Sequence, residues 1–220
     1  TSETRVDFRD LIKELNYIKL RGRNIFVGAL TRHYEIESSD IIKRYLPILS
    51  EAASLIGDPQ VRNMGTIGGS LAHADPAADY AAVSLALNAT IKAKSLRGER
   101  KIPAQKFFLD TFTTALKPTE ILTEVIFPLP PERSGGAFAK FERKAGDFAT
   151  VAAAVQITLD QNGKVKAAGI GLAAAGPKPI KAVKAEKLLI GKVIDEEVMN
   201  KVAEQAKEDS DPLSDIRGSS

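Results

Sequence analysis

The residues best suited to chemistry lie in one stretch, Gly65-Thr66-Ile67-Gly68-Gly69-Ser70, followed closely by His73 and Asp75. Backbone without Cβ atoms lets a ligand come within hydrogen-bonding distance. Successive free N–H groups form a concave nest that attracts anions. Thr66 and Ser70 flank the glycines with hydroxyl donors, so a phosphate or diphosphate is the natural guest. The competing reading is a tight turn or bulge without a ligand, and the glycine pair alone favours that reading. No Gly-Lys-Ser/Thr follows, so the stretch is not a P-loop, and its spacing is not that of a dinucleotide-binding fingerprint. Ser70, His73 and Asp75 include the residue types of a nucleophilic triad. With no nucleophile elbow or oxyanion-hole motif beside them, they read as capping and packing residues of the glycine turn.

Composition narrows the chemistry further. The 220 residues include no cysteine, which removes disulfides, thiolate catalysis, iron–sulfur ligation and cysteine-based zinc sites from this chain. The only histidines are His33 and His73, so a histidine-rich metal site is not expected. Redox chemistry would have to come from a bound organic cofactor or from a partner protein. The net charge of +3 arises from scattered basic residues, with no basic block interleaved with aromatics, so nucleic acid is not an expected partner. No apolar run is long enough to span a membrane, and the opening residues TSETRVDFRD carry no signal-peptide pattern. A cytoplasmic protein is expected.

The elements that must position the glycine stretch read as α+β, in two pieces of about residues 1–131 and 134–220. Ile25 to Leu30 predict a short buried strand, and Ser38, Ser39 and Asp40 offer caps for a short helix. Pro47 opens a helix running to Ile56, with Gly57 as its C-terminal cap. Pro76 to Asn88 predict an alanine-rich helix directly after the glycines. Thr90–Ser95 and Arg100–Ile102 predict a hairpin, and Glu120–Phe127 a strand. The prolines and glycines of residues 128–136 suit a connection between subdomains. Beyond it, Ala137–Arg143, Val151–Leu159 and Val165–Leu172 predict strands, the last two joined by a turn at Asn162-Gly163. Asp195 caps a final helix, with Ile194 and Met199 spaced as a hydrophobic staple.

The segment IGDPQVRNMGTIGGSLAHADPAADYAA closely resembles the FAD-binding medium subunit of the molybdenum hydroxylases, of the carbon monoxide dehydrogenase, aldehyde oxidoreductase and xanthine dehydrogenase type. FVGALTRH before it, then EILTEVIFP, GGAFAKFERKAGDFATVAAA and DPLSDIRGSS after it, resemble the same family in the same order. The resemblance implies an FAD-binding subdomain of the PCMH or vanillyl-alcohol-oxidase-like type, then a small α+β C-terminal domain with an antiparallel sheet and helices. It implies that Gly65, Thr66, Ile67, Gly68, Gly69 and Ser70 lie against the FAD diphosphate and that Asp79 helps to fix the cofactor. Ile121 and Leu122 fall where the family meets the flavin ring. Phe138 matches a position near the isoalloxazine, where an aromatic side chain can cover one face. Lys140 matches a basic residue whose charge can stabilise reduced flavin. Read on their own, Arg143, Lys144 and Asp147 suggest an ion-pair cluster holding the two pieces together.

The family's second glycine motif, Ala-Gly-Gly-x-Ser, is not found in these residues, so the first FAD subdomain is expected to be lacking. The implied function is electron transfer. FAD on this chain takes electrons from [2Fe–2S] clusters of a small subunit and passes them to an external acceptor. The molybdenum cofactor sits on a large subunit, and the resulting heterotrimer dimerises. No catalytic residue and no metal ligand is assigned to this chain. Two alternatives stay open: a stand-alone flavin oxidoreductase of the same fold, and a fragment that binds no FAD.

Overall fold

In the computed structural model, which describes residues 12–212, the strands expected in the first half join an antiparallel sheet. Its strands are β1 (Ile18–Arg21), β2 (Asn24–Gly28), β3 (Thr90–Ser95), β4 (Gly98–Pro103) and, after a separate small hairpin of β5 (Phe108–Asp110) and β6 (Thr113–Thr114), β7 (Ile121–Pro128). They lie in the order β1-β2-β7-β3-β4. Between β2 and β3 the chain folds into short helices: α1 (His33–Ser38), α2 (Asp40–Tyr45), α3 (Pro47–Ser54), α4 (Pro59–Met64), α5 (Ile67–His73) and α6 (Asp79–Ala86). A second antiparallel sheet follows, of β8 (Ser134–Phe141), β9 (Val151–Leu159), β10 (Val165–Ala173) and β11 (Ile180–Lys181), in the order β11-β10-β9-β8. Helices α7 (Val183–Leu189) and α8 (Glu196–Asp209) pack on it. The expected motif beyond Pro212 and the opening residues before Ile12 lie outside the described residues.

One core joins the two sheets. Ile25, Val27, Ile48, Leu49, Tyr80 and Phe127 are fully buried, and Phe138, Ala152 and Ala173 of the second sheet belong to the same cluster. Helix α6 makes that junction, and all of its residues are buried. Its small side chains let the second sheet come very close. A Cβ on Gly169 or Gly171 of β10 would run into the backbone carbonyl oxygens of Ala86 and Ala82. Glycine is required at both positions because backbone faces backbone there.

Several expectations shift by a few residues for identifiable reasons. The alanine-rich helix begins only at Asp79, because Asp75 holds the preceding residues in a turn. Its Oδ1 accepts from Ala77 N–H at 2.9 Å and its carbonyl from Ala78 N–H at 3.0 Å. The connection after β7 is shorter than residues 128–136, since Ser134, Gly135 and Gly136 already pair with β9. The stretch leading into the glycines is helical. Asp58 caps α4 by accepting from Val61 N–H at 2.8 Å, and Pro59 fills its first turn. The Asp195 cap forms as expected, accepting from Val198 N–H at 2.8 Å.

Candidate cofactor site

The glycine stretch is a shelf built against the chain that follows β2. His33 N–H donates to the Gly65 carbonyl at 3.1 Å, Ile67 N–H to Thr31 at 3.1 Å and Gly68 N–H to Ala29 at 2.9 Å. Thr66 then caps α5: its Oγ1 accepts from Gly69 N–H at 3.1 Å and its carbonyl from Ser70 N–H at 3.0 Å. The expected nest of free N–H groups is therefore absent from Ile67 to Ser70. A buried helix start must satisfy its donors, and here strand-like pairing and a threonine cap do so within the chain. Ile67 is fully buried and anchors the shelf in the core. The glycines serve chain-to-chain contact more than ligand donors. A Cβ on Gly68 would lie 2.6 Å from both the Cβ and the carbonyl oxygen of Ala29, and one on Gly65 would run into the His33 ring. Gly69 is different, because its nearest neighbour would be Thr66 Oγ1 at 3.0 Å.

Beside the shelf lies a cleft of ≈ 750 Å³, lined by Gly65, Thr66, Gly68, Gly69 and Ser70 and also by Asp79, Ile121 and Leu122. That size is ordinary for a small-molecule or cofactor cleft. Ile121, at the start of β7, is 56% exposed, whereas Leu122 is buried. His33, His73, Asp75 and the half-exposed Phe148 complete much of the lining.

Where Asp79 meets the cleft, three charged side chains converge. Lys140 Nζ lies 3.1 Å from Asp79 Oδ2, 3.3 Å from Glu142 Oε2 and 3.0 Å from the Leu55 carbonyl oxygen. The ammonium donates hydrogen bonds to Asp79 Oδ2 and the Leu55 carbonyl oxygen, whereas its contact with Glu142 Oε2 is an ion pair without a hydrogen bond. The Lys140 side chain is only 2% exposed and that of Asp79 7%. Asp79 Oδ1 is buried and has no hydrogen-bond partner among the described residues. The Asp79 carboxyl is pushed up to about 6, chiefly by burial and further by the Glu142 charge, while Lys140 pulls the other way.

Three expected residues are not on the cleft wall: Ile67, fully buried beneath the shelf, Phe138 and Lys140. In β8 alternate side chains point inward, so Phe138 and Lys140 share the inner face. Phe138 is packed in the core, its N–H donating to Glu51 Oε2 at 2.8 Å, and Lys140 lies behind Asp79. Phe138 therefore covers nothing in the cleft. The aromatic residue that does line it, Phe148, lies in the loop between β8 and β9. The sequence signal was GDFAT, an aromatic residue placed next to a loop glycine and an aspartate. Asp147 Oδ1 accepts from Phe148 N–H at 2.9 Å, and Gly146 (φ +82°) rests on Gly57, whose carbonyl oxygen would be 2.9 Å from a Cβ there. Arg143 and Asp147 pair at 3.5 Å within this loop and so do not bridge the two pieces.

The histidines have distinct settings. His33 is buried with Nδ1 unpartnered, edge-on to the Tyr80 ring at 5.2 Å. Burial, and secondarily the charge of Arg62, lowers its pKa to about 4. His73 packs on the Phe112 ring at 5.0 Å, and Asp75 caps its own turn, so Ser70, His73 and Asp75 are not joined as a triad. No helix among the described residues is long and apolar enough to cross a membrane.

Comparison with known proteins accounts for almost the whole chain. Residues 3–130 match the family model described as FAD binding domain in molybdopterin dehydrogenase, and residues 136–220 match CO dehydrogenase flavoprotein C-terminal domain. The chain is 43% identical over 202 residues to the 6-hydroxypseudooxynicotine dehydrogenase complex subunit alpha of Paenarthrobacter nicotinovorans, covering 92% of this chain and 68% of that protein. It is 38% identical to the carbon monoxide dehydrogenase medium chain of Afipia carboxidovorans, covering 99% of this chain and 75% of that one. A crystal structure of a Cu,Mo-CO dehydrogenase in a cyanide-inactivated form superimposes with a TM-score of 0.91 at 38% identity, over 94% of this chain and 72% of that chain.

Proposed function

This chain belongs to the FAD-binding medium subunits of the molybdenum hydroxylases, and from that premise we propose which of its residues hold the cofactor. It is an FAD-dependent oxidoreductase subunit whose role is electron transfer. The observation that carries the site is Asp79 Oδ1, a buried acceptor without a hydrogen-bond partner among the described residues, beside a cleft of cofactor size. A buried polar atom left alone is costly, so it calls for a donor. In our reading an FAD hydroxyl supplies it.

The remaining lining fits the same ligand. Ile121 and Leu122 give an apolar wall for a flat ring, and Phe148 takes the covering role expected of Phe138. Gly69 leaves room for close approach, and the Ser70 hydroxyl stands at the cleft as a donor. Gly65, Thr66, Ile67 and Gly68 act mainly by holding the shelf flat. Lys140 works through Asp79, keeping its carboxylate oriented and adding positive charge behind it. When bound, FAD supplies the step between one-electron and two-electron carriers. This chain's residues contribute binding, orientation and exclusion of water.

Relatives of this chain are subunits of multi-subunit complexes. We propose a heterotrimer with a large molybdenum-cofactor subunit and a small subunit carrying two [2Fe–2S] clusters, dimerised and cytoplasmic.

The site is tested by equilibrium dialysis of the chain against FAD, followed by visible absorption of the retained flavin. Wild type should retain FAD, and Asp79→Ala should weaken retention about tenfold, the worth of one hydrogen bond to a charged acceptor. Folded wild-type protein that retains no flavin would overturn the reading.

A further inference from the structure

Glu142 has no role in the site described so far, yet one of its carboxylate oxygens accepts a hydrogen bond and the other, buried and without a hydrogen-bond partner among the described residues, faces a cation. Oε2 lies 3.3 Å from Lys140 Nζ, and Oε1 accepts from Gly146 N–H at 3.3 Å. The first contact reaches the buried Asp79–Lys140 pair. The second reaches the loop that carries Phe148, just before the point where Gly146 rests on Gly57.

We propose that Glu142 is a positioning residue of the FAD site: it shares the Lys140 ammonium, so that Asp79 keeps one oxygen for a ligand, and it ties this pair to the Phe148 loop. The inference rests on the reading that the cleft takes FAD. Its logic is one of charge. Two carboxylates surround one ammonium, whose hydrogen bonds go to Asp79 Oδ2 and the Leu55 carbonyl oxygen while Glu142 is held by charge alone. No Lys140 N–H is hydrogen-bonded to Asp79 Oδ1, and the ammonium lies between the two carboxylates instead of serving Asp79 alone. The buried corner carries one more negative than positive charge and two oxygens without a hydrogen-bond partner among the described residues, Asp79 Oδ1 and Glu142 Oε2. Asp79 Oδ1 is the one on a residue that lines the cleft, where a donor or a proton would stabilise it. A ligand hydroxyl and a proton then compete for the same atom.

The groups facing Asp79 are few. Lys140 comes from β8, Glu142 from the loop after it, and Tyr80 from its own helix. On α3, Glu51 is turned to the Phe138 N–H, and His33, His73, Asp75 and Glu120 line the same cleft. The only cation in contact with Asp79 among these described residues is Lys140.

Two variants of the full chain separate this role from simple structure. Glu142→Gln keeps the size and an oxygen for Gly146 N–H but loses the charge; Glu142→Ala loses both. Carboxyl ¹³C NMR, with the Asp79 signal assigned by its loss in Asp79→Asn, reads the titration of Asp79 without any cofactor. Hydrogen exchange over residues 142–150 reads the loop. In Glu142→Gln the Asp79 midpoint should fall by about one unit, the effect of removing a neighbouring like charge. In Glu142→Ala the loop should also exchange faster. FAD dialysis at neutral pH should show weaker retention in both. An unchanged Asp79 midpoint in folded Glu142→Gln overturns the inference and leaves the FAD reading standing. Wild type that retains no FAD overturns the FAD reading, and with it the ligand half of this inference, whatever the titration gives.

Discussion

At the glycine shelf each backbone donor from Ile67 to Ser70 has a partner in the chain, whereas at Asp79 a buried carboxylate oxygen has none. The two regions line the same cleft but answer different demands. The shelf is a solved packing problem, in which the absence of side chains lets two backbone segments lie together. The corner is an unsolved electrostatic one, in which burial and a surplus carboxylate leave an acceptor waiting. The contrast teaches that glycines beside a cleft need not be its ligand-binding atoms. They can instead fix the surface against which a charged group elsewhere does the binding.

The comparison is broken most directly at Gly68. A Cβ there would meet Ala29 at 2.6 Å, on both side chain and backbone. Gly68→Val should force the shelf from residues 29–33 and cost about 4 kcal/mol or more, combining overpacking with lost backbone bonds. Urea unfolding followed by circular dichroism measures it. Gly69→Ala is the matched control, since its site is open apart from Thr66 Oγ1. It should hold stability within about 1 kcal/mol while weakening FAD retention. If Gly68→Val melts like wild type, the shelf is not a packing device.

The next effect lies in the corner and is a matter of pH. Asp79 titrates at about 6 in the fold against an ordinary 3.8. The folded chain thus favours the proton, and this contribution to stability is full below 3.8 and is lost as pH rises through 6. The loss approaches about 3 kcal/mol by neutral pH without ligand. His33 slopes the other way. Its value falls to about 4 from 6.5, so its contribution is full above 6.5 and is lost as pH falls through 4, again by at most about 3 kcal/mol. Between about pH 4 and 6.5 the two slopes oppose each other. Asp79→Asn should therefore expose a stability that rises with pH, and His33→Gln one that falls with pH. Thermal melts of both variants across this range check it. Parallel curves would show that neither group is perturbed as its burial implies.

Much of the fold was legible because its signals are local. Alternation marked β9, the apolar run of EILTEVIF marked β7, Pro47 marked the start of α3, and Asp195 marked α8. The shelf was legible in residue type but not in use, because the partners of its N–H groups come from Ala29 and Thr31, on a segment distant in sequence. Phe138 and Phe148 show the same limit. Both are aromatic residues in the matching segment, and only the pairing of β8 with β9 decides which one is buried. Glu142 carried no local signal at all. Its meaning depends on Asp79 and Leu55, which the fold brings to Lys140.

The smallest effect tests whether the two regions are independent. Thr66 Oγ1 holds the Gly69 N–H at 3.1 Å, a side-chain cap on α5. Thr66→Ala should cost about 1 kcal/mol, and Thr66→Ser only a few tenths, because serine keeps the acceptor. Freeing the Gly69 N–H creates in the shelf the open donor that the wild-type chain lacks there. Nothing in that change reaches the Asp79–Lys140–Glu142 contacts, so the Asp79 titration midpoint should stay at its wild-type value in both variants. Urea unfolding reads the first expectation and carboxyl NMR the second. If Thr66→Ala moved the Asp79 midpoint, shelf and corner would be one coupled unit, and the division between packing and electrostatics would have to be redrawn around α5.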